Sequence, residues 1–353
     1  MDSVKHRSDP GRTWNWKLWI GLLISALFVY LALLELDFAR MWLVIRSAKP
    51  LLLLGVVVIT FLQYVIRAWR WAILLEPIKK TAFSHRLAST MIGFAANCVL
   101  PARLGEFVRA NYLGRTEHIS SSSAFGTIVV ERLFDGFTLL LILMIGLLGT
   151  LFPGEWRGLA SSLRATGFFL LFLYILIILF LFGFKYKTKP FLSLLDRLLF
   201  LVPRHFRSKI MDTIWNFSLG LVLVKRPFLW ALVIFFSCLL WFSCLFQIQL
   251  VEYAIGLSLP LVAPFLILAM ASFGVMIPSA PGFIGTFHLS VQYAFLLYGV
   301  GREEALSAAI LMHAAFFLPT IVLGFVAFLL VQKPLDSVTA EPATLREREA
   351  SDL

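Results

Sequence analysis

The sequence predicts an all-α polytopic membrane protein with about six transmembrane helices and two re-entrant helical hairpins in an inverted repeat. Three observations predict it. The chain of 353 residues is 60% hydrophobic, with a mean hydropathy of +0.88, where a soluble domain is usually close to half apolar. Long uncharged runs recur and are rich in Leu, Phe and Ile without the strict alternation of barrel strands. A motif also returns: Pro101-Ala-Arg-Leu-Gly-Glu-Phe107 is echoed by Pro281-Gly-Phe-Ile-Gly-Thr-Phe287, offset by 180 residues.

In chain order, residues 1–17 form a basic cytoplasmic arm with Lys5, Arg7, Arg12 and Lys17. Residues 18–34 are the first span. The run is too long for a secretory h-region, and no small-residue cleavage site follows it. Residues 35–50 connect, with Arg40, Arg46 and Lys49 beside Glu35 and Asp37. Residues 51–66 are the second span, closed by Arg67-Ala-Trp-Arg-Trp71, a signature of aromatic rings and snorkelling cations at a membrane interface. The apolar runs within 87–112 are too short to cross, and Pro101 and Gly105 interrupt them. Residues 124–152 and 166–184 span again.

Residues 185–226 carry nine basic residues against Asp196 and Asp212, with apolar residues at helical spacing, as in an amphipathic helix pair on a membrane surface. Residues 228–251 span. Residues 261–300 repeat the interrupted pattern, and 305–331 form the last span. The charged stretch 332–353 reads as a disordered cytoplasmic tail. The whole of 18–331 is thus one membrane domain, with repeat one at 51–152 and repeat two at 228–331.

The starts of span, broken segment and span in the two halves are offset by 177, 174 and 181 residues. Placing the arm in the cytoplasm, and letting each broken segment return to the side it came from, puts the nine-cation loop in the cytoplasm, as positive-inside bias requires. The two halves then have opposite orientations. Only the Arg40–Lys49 connection is misplaced by this rule. Inverted repeats with discontinuous helices build transporter sites near the bilayer midplane.

Charged residues fall where the segments break. Arg103, Glu106 and Arg109 are spaced i, i+3, i+6 and would share one face of a helix over 104–113, with Glu106 neutralising one Arg. Glu131, Arg132 and Asp135 sit at comparable depth in the next span. Such a set reads as an ion-pair network joining two helices or as a polar cavity, and the two readings are compatible. In the cavity, Arg103 or Arg109 would grip a headgroup phosphate through its planar fork. Asn97 would cap the broken helix or bind a headgroup hydroxyl. The second broken segment offers Ser279, Thr286, His288 and Gln292, neutral partners suited to a glycerol, sugar or amine. His288 and His313 would relay protons or brace helices.

Cys98, Cys238 and Cys244 read as small buried hydrophobes without metal spacing. The net charge of +11 lies in loops between apolar runs, which points to anionic lipid rather than nucleic acid. No phosphate-binding Gly-rich loop or zinc-protease motif occurs, so neither cofactor nor ATP-driven chemistry is expected.

Three stretches together resemble the lysylphosphatidylglycerol synthase/flippase transmembrane-domain family. They are Asn97-x-x-Leu-Pro-Ala-Arg-x-Gly-Glu-x-x-Arg109, Glu131-Arg-x-x-Asp135 and Pro278-x-x-Pro-Gly-x-Ile-Gly-Thr-Phe287. The likeness covers roughly residues 15–330. It implies a bacterial inner (cytoplasmic) membrane protein, with both termini cytoplasmic, that moves or handles a polar lipid. Aminoacylated phosphatidylglycerol and isoprenoid or hopanoid lipids are the family's lipids. Two departures stand out. Only 22 residues follow Val331, so no aminoacyl-transferase domain and no synthase activity are expected. Phe287-His288 stands where the family pattern has Phe-Glu.

The reading is therefore a flippase for an anionic or glycosylated lipid. Its headgroup site would be drawn from Asn97, Arg103, Glu106, Arg109, Glu131, Arg132, Asp135, Thr286, His288 and Gln292. The alternatives are a membrane enzyme and a non-catalytic scaffold for a lipid-modifying enzyme, and homo-oligomers remain open.

Overall fold

A computed structural model describes residues 16–100, 103–152, 157–186, Arg207, Ile210 and 227–338. The expected amphipathic helix pair at 185–226 lies almost wholly outside the described residues, as do Pro101 and the basic arm. Among the described residues there are eleven α-helices and no strand. The chain is an all-α polytopic membrane protein.

Helix α1 (Trp16–Leu33) turns by 90° into α2 (Phe38–Ser47). The sequence had suggested a plain connection here. Asp37 makes it a helix by accepting from the N–H groups of Ala39 and Arg40 at 2.9 and 3.1 Å. Pro50, at a first-turn position where its missing donor costs nothing, opens α3 (Pro50–Leu75). Next come α4 (Phe83–Val99), α5 (Gly105–Glu117), α6 (Ser121–Gly149) and α7 (Arg157–Tyr186). The second half contains α8 (Pro227–Ala254), α9 (Ala263–Met276), α10 (Thr286–Leu296) and α11 (Arg302–Val338). Helix α11 runs past 331, where the tail was expected to begin.

Among the described residues four helices, α3, α7, α8 and α11, are long and apolar enough to cross a membrane, and the count is five if the bent α1–α2 pair is one span. Helix α6 has the length, at 29 residues, but carries Glu131, Arg132 and Asp135.

Helices α4 and α5 form an antiparallel hairpin. Near its tip the Asn97 side-chain oxygen accepts the Gly105 N–H at 2.7 Å, so the end of α4 caps the start of α5. Midway, the Ser89 hydroxyl donates to the Arg109 carbonyl at 2.7 Å. At the base, Glu117 accepts from the Ala82 N–H at 2.8 Å and meets His85 Nδ1 at 2.7 Å. The hairpin therefore ends where it began.

Glycines permit this closeness: a Cβ on Gly105 would stand 1.9 Å from the Gly93 carbonyl oxygen. Helices α9 and α10 pair in the same way. A Cβ on Gly274 would meet the Thr286 carbonyl at 2.8 Å, while Leu266 and Ala269 pack with Leu297 and Tyr298 at the other end.

The motif echo has a structural counterpart. Arg103 and Phe283, which it aligns, both adopt left-handed backbone, with φ of 53° and 58°. Non-glycine residues rarely sit there, so sharing that conformation marks a common turn geometry. The two tips also meet, with the Arg103 guanidinium 5.9 Å from the Phe283 ring centre. Helix α1 packs on the second tip, where the Ser25 hydroxyl accepts the Ala280 N–H at 2.8 Å.

Candidate functional site

The polar centre lies where α3, α5, α6 and α8 converge. Glu131 of α6 is fully buried, and three arginines reach its Oε1. These are Arg132 at 2.7 Å, Arg109 at 2.9 Å and Arg70 at 3.2 Å. Arg109 adds a second bond to Oε2 at 3.0 Å, completing a two-pronged pair. One turn along α6, Asp135 accepts from Arg70 at 2.6 and 3.1 Å. It also meets Arg132 at 3.2 Å and Arg67 at 3.6 Å. The Ser237 hydroxyl of α8 accepts from Arg70 at 3.0 Å.

Aromatic rings complete the shell. The Arg109 guanidinium lies 3.9 Å from the Trp71 ring centre, and Trp71 Nε1 is anchored on the Thr127 hydroxyl at 2.8 Å. The guanidinium of Arg67 stacks 4.6 Å from Phe94 of α4.

The charge count decides what this centre can do. Four arginines face two carboxylates, an excess of two positive charges. Burying a charge is costly unless it is paired and hydrogen-bonded. Arg70 and Arg109 are paired in full depth, at 0% and 2% side-chain exposure. Arg132 is more open, with its side chain 34% exposed, while the buried Nε atoms of Arg70, Arg109 and Arg132 all lack a hydrogen-bond partner. Arg67 Nη1 likewise has no hydrogen-bond partner. Unused donors therefore remain on all four arginines, and Arg132 is the most exposed of them.

Several expectations need correction. Arg103 does not share a helix face with Glu106 and Arg109, because it lies in the exposed turn before α5. Glu106, half-buried in the first turn of α5, makes no ion pair within 4 Å among the described residues, although its charge acts on Arg132. Arg109 is held by Glu131 and is a structural partner more than a free grip. Asn97 is a cap. Arg67 and Arg70 were assigned to the membrane interface, yet α3 continues to Leu75 and buries Arg70 completely. A signal for them existed: Thr60, Gln63, Tyr64, Arg67, Arg70 and Trp71 recur at helical spacing and form one polar face. Helix α8 answers that face, with the Gln63 amide donating to Gln247 Oε1 at 2.7 Å and the Gln247 amide donating to Thr60 at 2.8 Å.

The second hairpin's candidates do not join this centre. The Thr286 hydroxyl donates within its own hairpin to Ser279 and to the Phe283 carbonyl, both at 3.3 Å. Gln292 donates to the Ala32 carbonyl at 3.2 Å and braces α1. His288 lies against His313 with ring centres 4.7 Å apart and planes tilted by 37°, and His313 Nε2 meets the Gly282 carbonyl at 2.7 Å. These groups shape the second tip.

Comparison with known proteins agrees with this architecture. The chain is 23% identical over 273 residues to a UPF0104 membrane protein of Methanothermobacter thermautotrophicus, covering 75% of this chain and 80% of that one. It is 21% identical over 324 residues to UPF0104 membrane protein MJ1595 of Methanocaldococcus jannaschii, covering 90% and 96%. A stretch of 150 residues is 30% identical to Glycosyltransferase AglD of Haloferax volcanii, covering 42% of this chain and 24% of that protein. The family model described as the lysylphosphatidylglycerol synthase TM region matches residues 18–324. With eleven described helices, two closed hairpins and a match over most of its length, the chain belongs to the lysylphosphatidylglycerol synthase transmembrane-region family.

Proposed function

We propose that this protein is a transporter rather than an enzyme, moving an anionic or glycosylated polar lipid between the leaflets of a bacterial inner membrane. One observation carries the reading: four arginines share two carboxylates, and Arg132 and Arg67, with side chains 34% and 14% exposed, are the more accessible of the four. A headgroup phosphate matches the planar donors left over. The acyl chains need no protein pocket, since they can stay in the bilayer while the headgroup travels.

In this reading the two hairpins are re-entrant and approach the midplane from opposite sides, with both termini cytoplasmic. The hairpins meet tip to tip at Arg103 and Phe283, as two gates of an alternating-access device would. A membrane enzyme is less well supported, because Glu131 and Asp135 are each engaged by arginines and make poor general bases. The partial likeness to a protein named as a glycosyltransferase keeps lipid-linked sugars within the substrate range.

The test is leaflet transfer of fluorescent phosphatidylglycerol in reconstituted vesicles, read with a membrane-impermeant quencher. Arg132→Gln and Arg67→Gln should each slow transfer about tenfold, the equivalent of roughly 1.4 kcal/mol. Full-rate transfer by the double variant would overturn the proposal.

A further inference from the structure

The bases of the two hairpins differ in one respect that the lipid site does not explain. At the first base, Glu117 is satisfied by the Ala82 N–H and His85, with Lys79 4.0 Å away. At the second base the carboxylate is Glu252, near the end of α8. It is 1% exposed, and its buried Oε1 has no hydrogen-bond partner. No ion pair reaches it among the described residues.

Its surroundings are nearly empty of charge. Helix α9, packed against α8, contains no titratable residue. The connecting turn 255–262 contains none either. From the turn after α10 comes Tyr298, close enough to feel the carboxylate's charge, with its hydroxyl 2.6 Å from Thr150 at the end of α6. Arg164 of α7 is spent on the Leu147 carbonyl at 2.9 Å. Lys49 presents its backbone N–H to Ala254 at 2.9 Å and is itself exposed. On the same helix, Tyr253 is exposed and pairs with Gln249 at 3.1 Å.

An ionised carboxylate cannot persist in such a place without a cation or several donors. We infer that Glu252 is a proton-binding site at the base of the second hairpin, and that lipid movement exchanges one proton there with the solution on that side. This rests on the transport reading above. With the base closed, the carboxyl carries its proton. When the α8–α9–Tyr298 contact loosens, water reaches Oε1 and the proton leaves to that solution, and reclosure takes one back. The proton is the only species transferred. Alkaline solution on the second hairpin's side therefore favours the open base.

Glu252→Gln mimics the protonated side chain and cannot release a proton. In vesicles, wild-type lipid transfer should accelerate as the pH on that side rises, whereas Glu252→Gln should stay at the slow acid-side rate at every pH. A variant keeping the wild-type pH profile overturns the inference while leaving lipid transport intact. Wild-type transfer at no pH would instead defeat the transport reading. A second measurement then still decides on the proton: infrared spectra of the detergent-purified protein near neutral pH should show a protonated-carboxyl band that Glu252→Gln loses. Identical spectra would overturn the site itself. Matching melting temperatures would establish that both forms are folded.

Discussion

Glu131 accepts from three arginines on three helices, so one carboxylate ties α3, α5 and α6 together. Removing its charge leaves those cations facing each other in a buried volume. Glu131→Gln should destabilise the detergent-solubilised protein by about 3–5 kcal/mol, the usual cost of breaking a buried pair from one side. A thermal or denaturant unfolding curve measures it. Arg132→Gln should cost far less, because Glu131 keeps Arg70 and Arg109. Equal losses would mean that Arg132 is structural. At this scale the sequence was legible in part. Arg109, Glu131, Arg132 and Asp135 do meet, as their depth implied. The expected shared face of Arg103, Glu106 and Arg109 failed because Arg103 sits in a left-handed turn, which residue spacing cannot reveal.

Elements are governed by the two hairpin breaks. The runs around 87–112 and 261–300 were too short to span, and Pro and Gly interrupted them, so the breaks could be read directly. What spacing could not give was the partner of each glycine. Gly93 and Gly105 lie at the contact of two backbones, where an added methyl has no room. Gly105→Ala should therefore cost about 1–3 kcal/mol or more, as overpacking does. Gly183→Ala, with nothing within 4 Å of the added Cβ, should be neutral or mildly stabilising. Paired melting curves test this. Similar curves for the two would mean that the hairpin can part its helices at little cost.

At the scale of the whole molecule, α3 and α8 share one polar seam. The two hairpins were legible because their offsets agreed with the motif echo. The seam was not: Arg67 and Arg70 stood beside two tryptophans and resembled an interfacial girdle, and only the continuation of α3 to Leu75 brings them inside. The proposed inverted orientation makes its own prediction. With Cys98, Cys238 and Cys244 replaced, single cysteines at Lys80 and Ser258 precede the first and second hairpins. Each position is exposed. An impermeant maleimide should label them from opposite sides of sealed vesicles. Labelling from one side would rule out the inverted repeat.

The right-angled α1–α2 pair brings bilayer thickness into the picture. Helix α2 has no buried residue and exposes Phe38, Trp42 and Leu43, which suits a helix at the waterline, where Arg40 holds Glu304 at 2.8 Å and the Ser307 hydroxyl donates to the Met41 carbonyl at 3.2 Å. Its stalk, α1, is clasped to the second hairpin tip through Ser25. A thicker membrane would pull on α2 against these contacts, and hydrophobic mismatch costs fractions of a kcal/mol per Å. Because α1 is joined to the second hairpin tip and α2 to α11, a change in acyl-chain length would load both contacts at once.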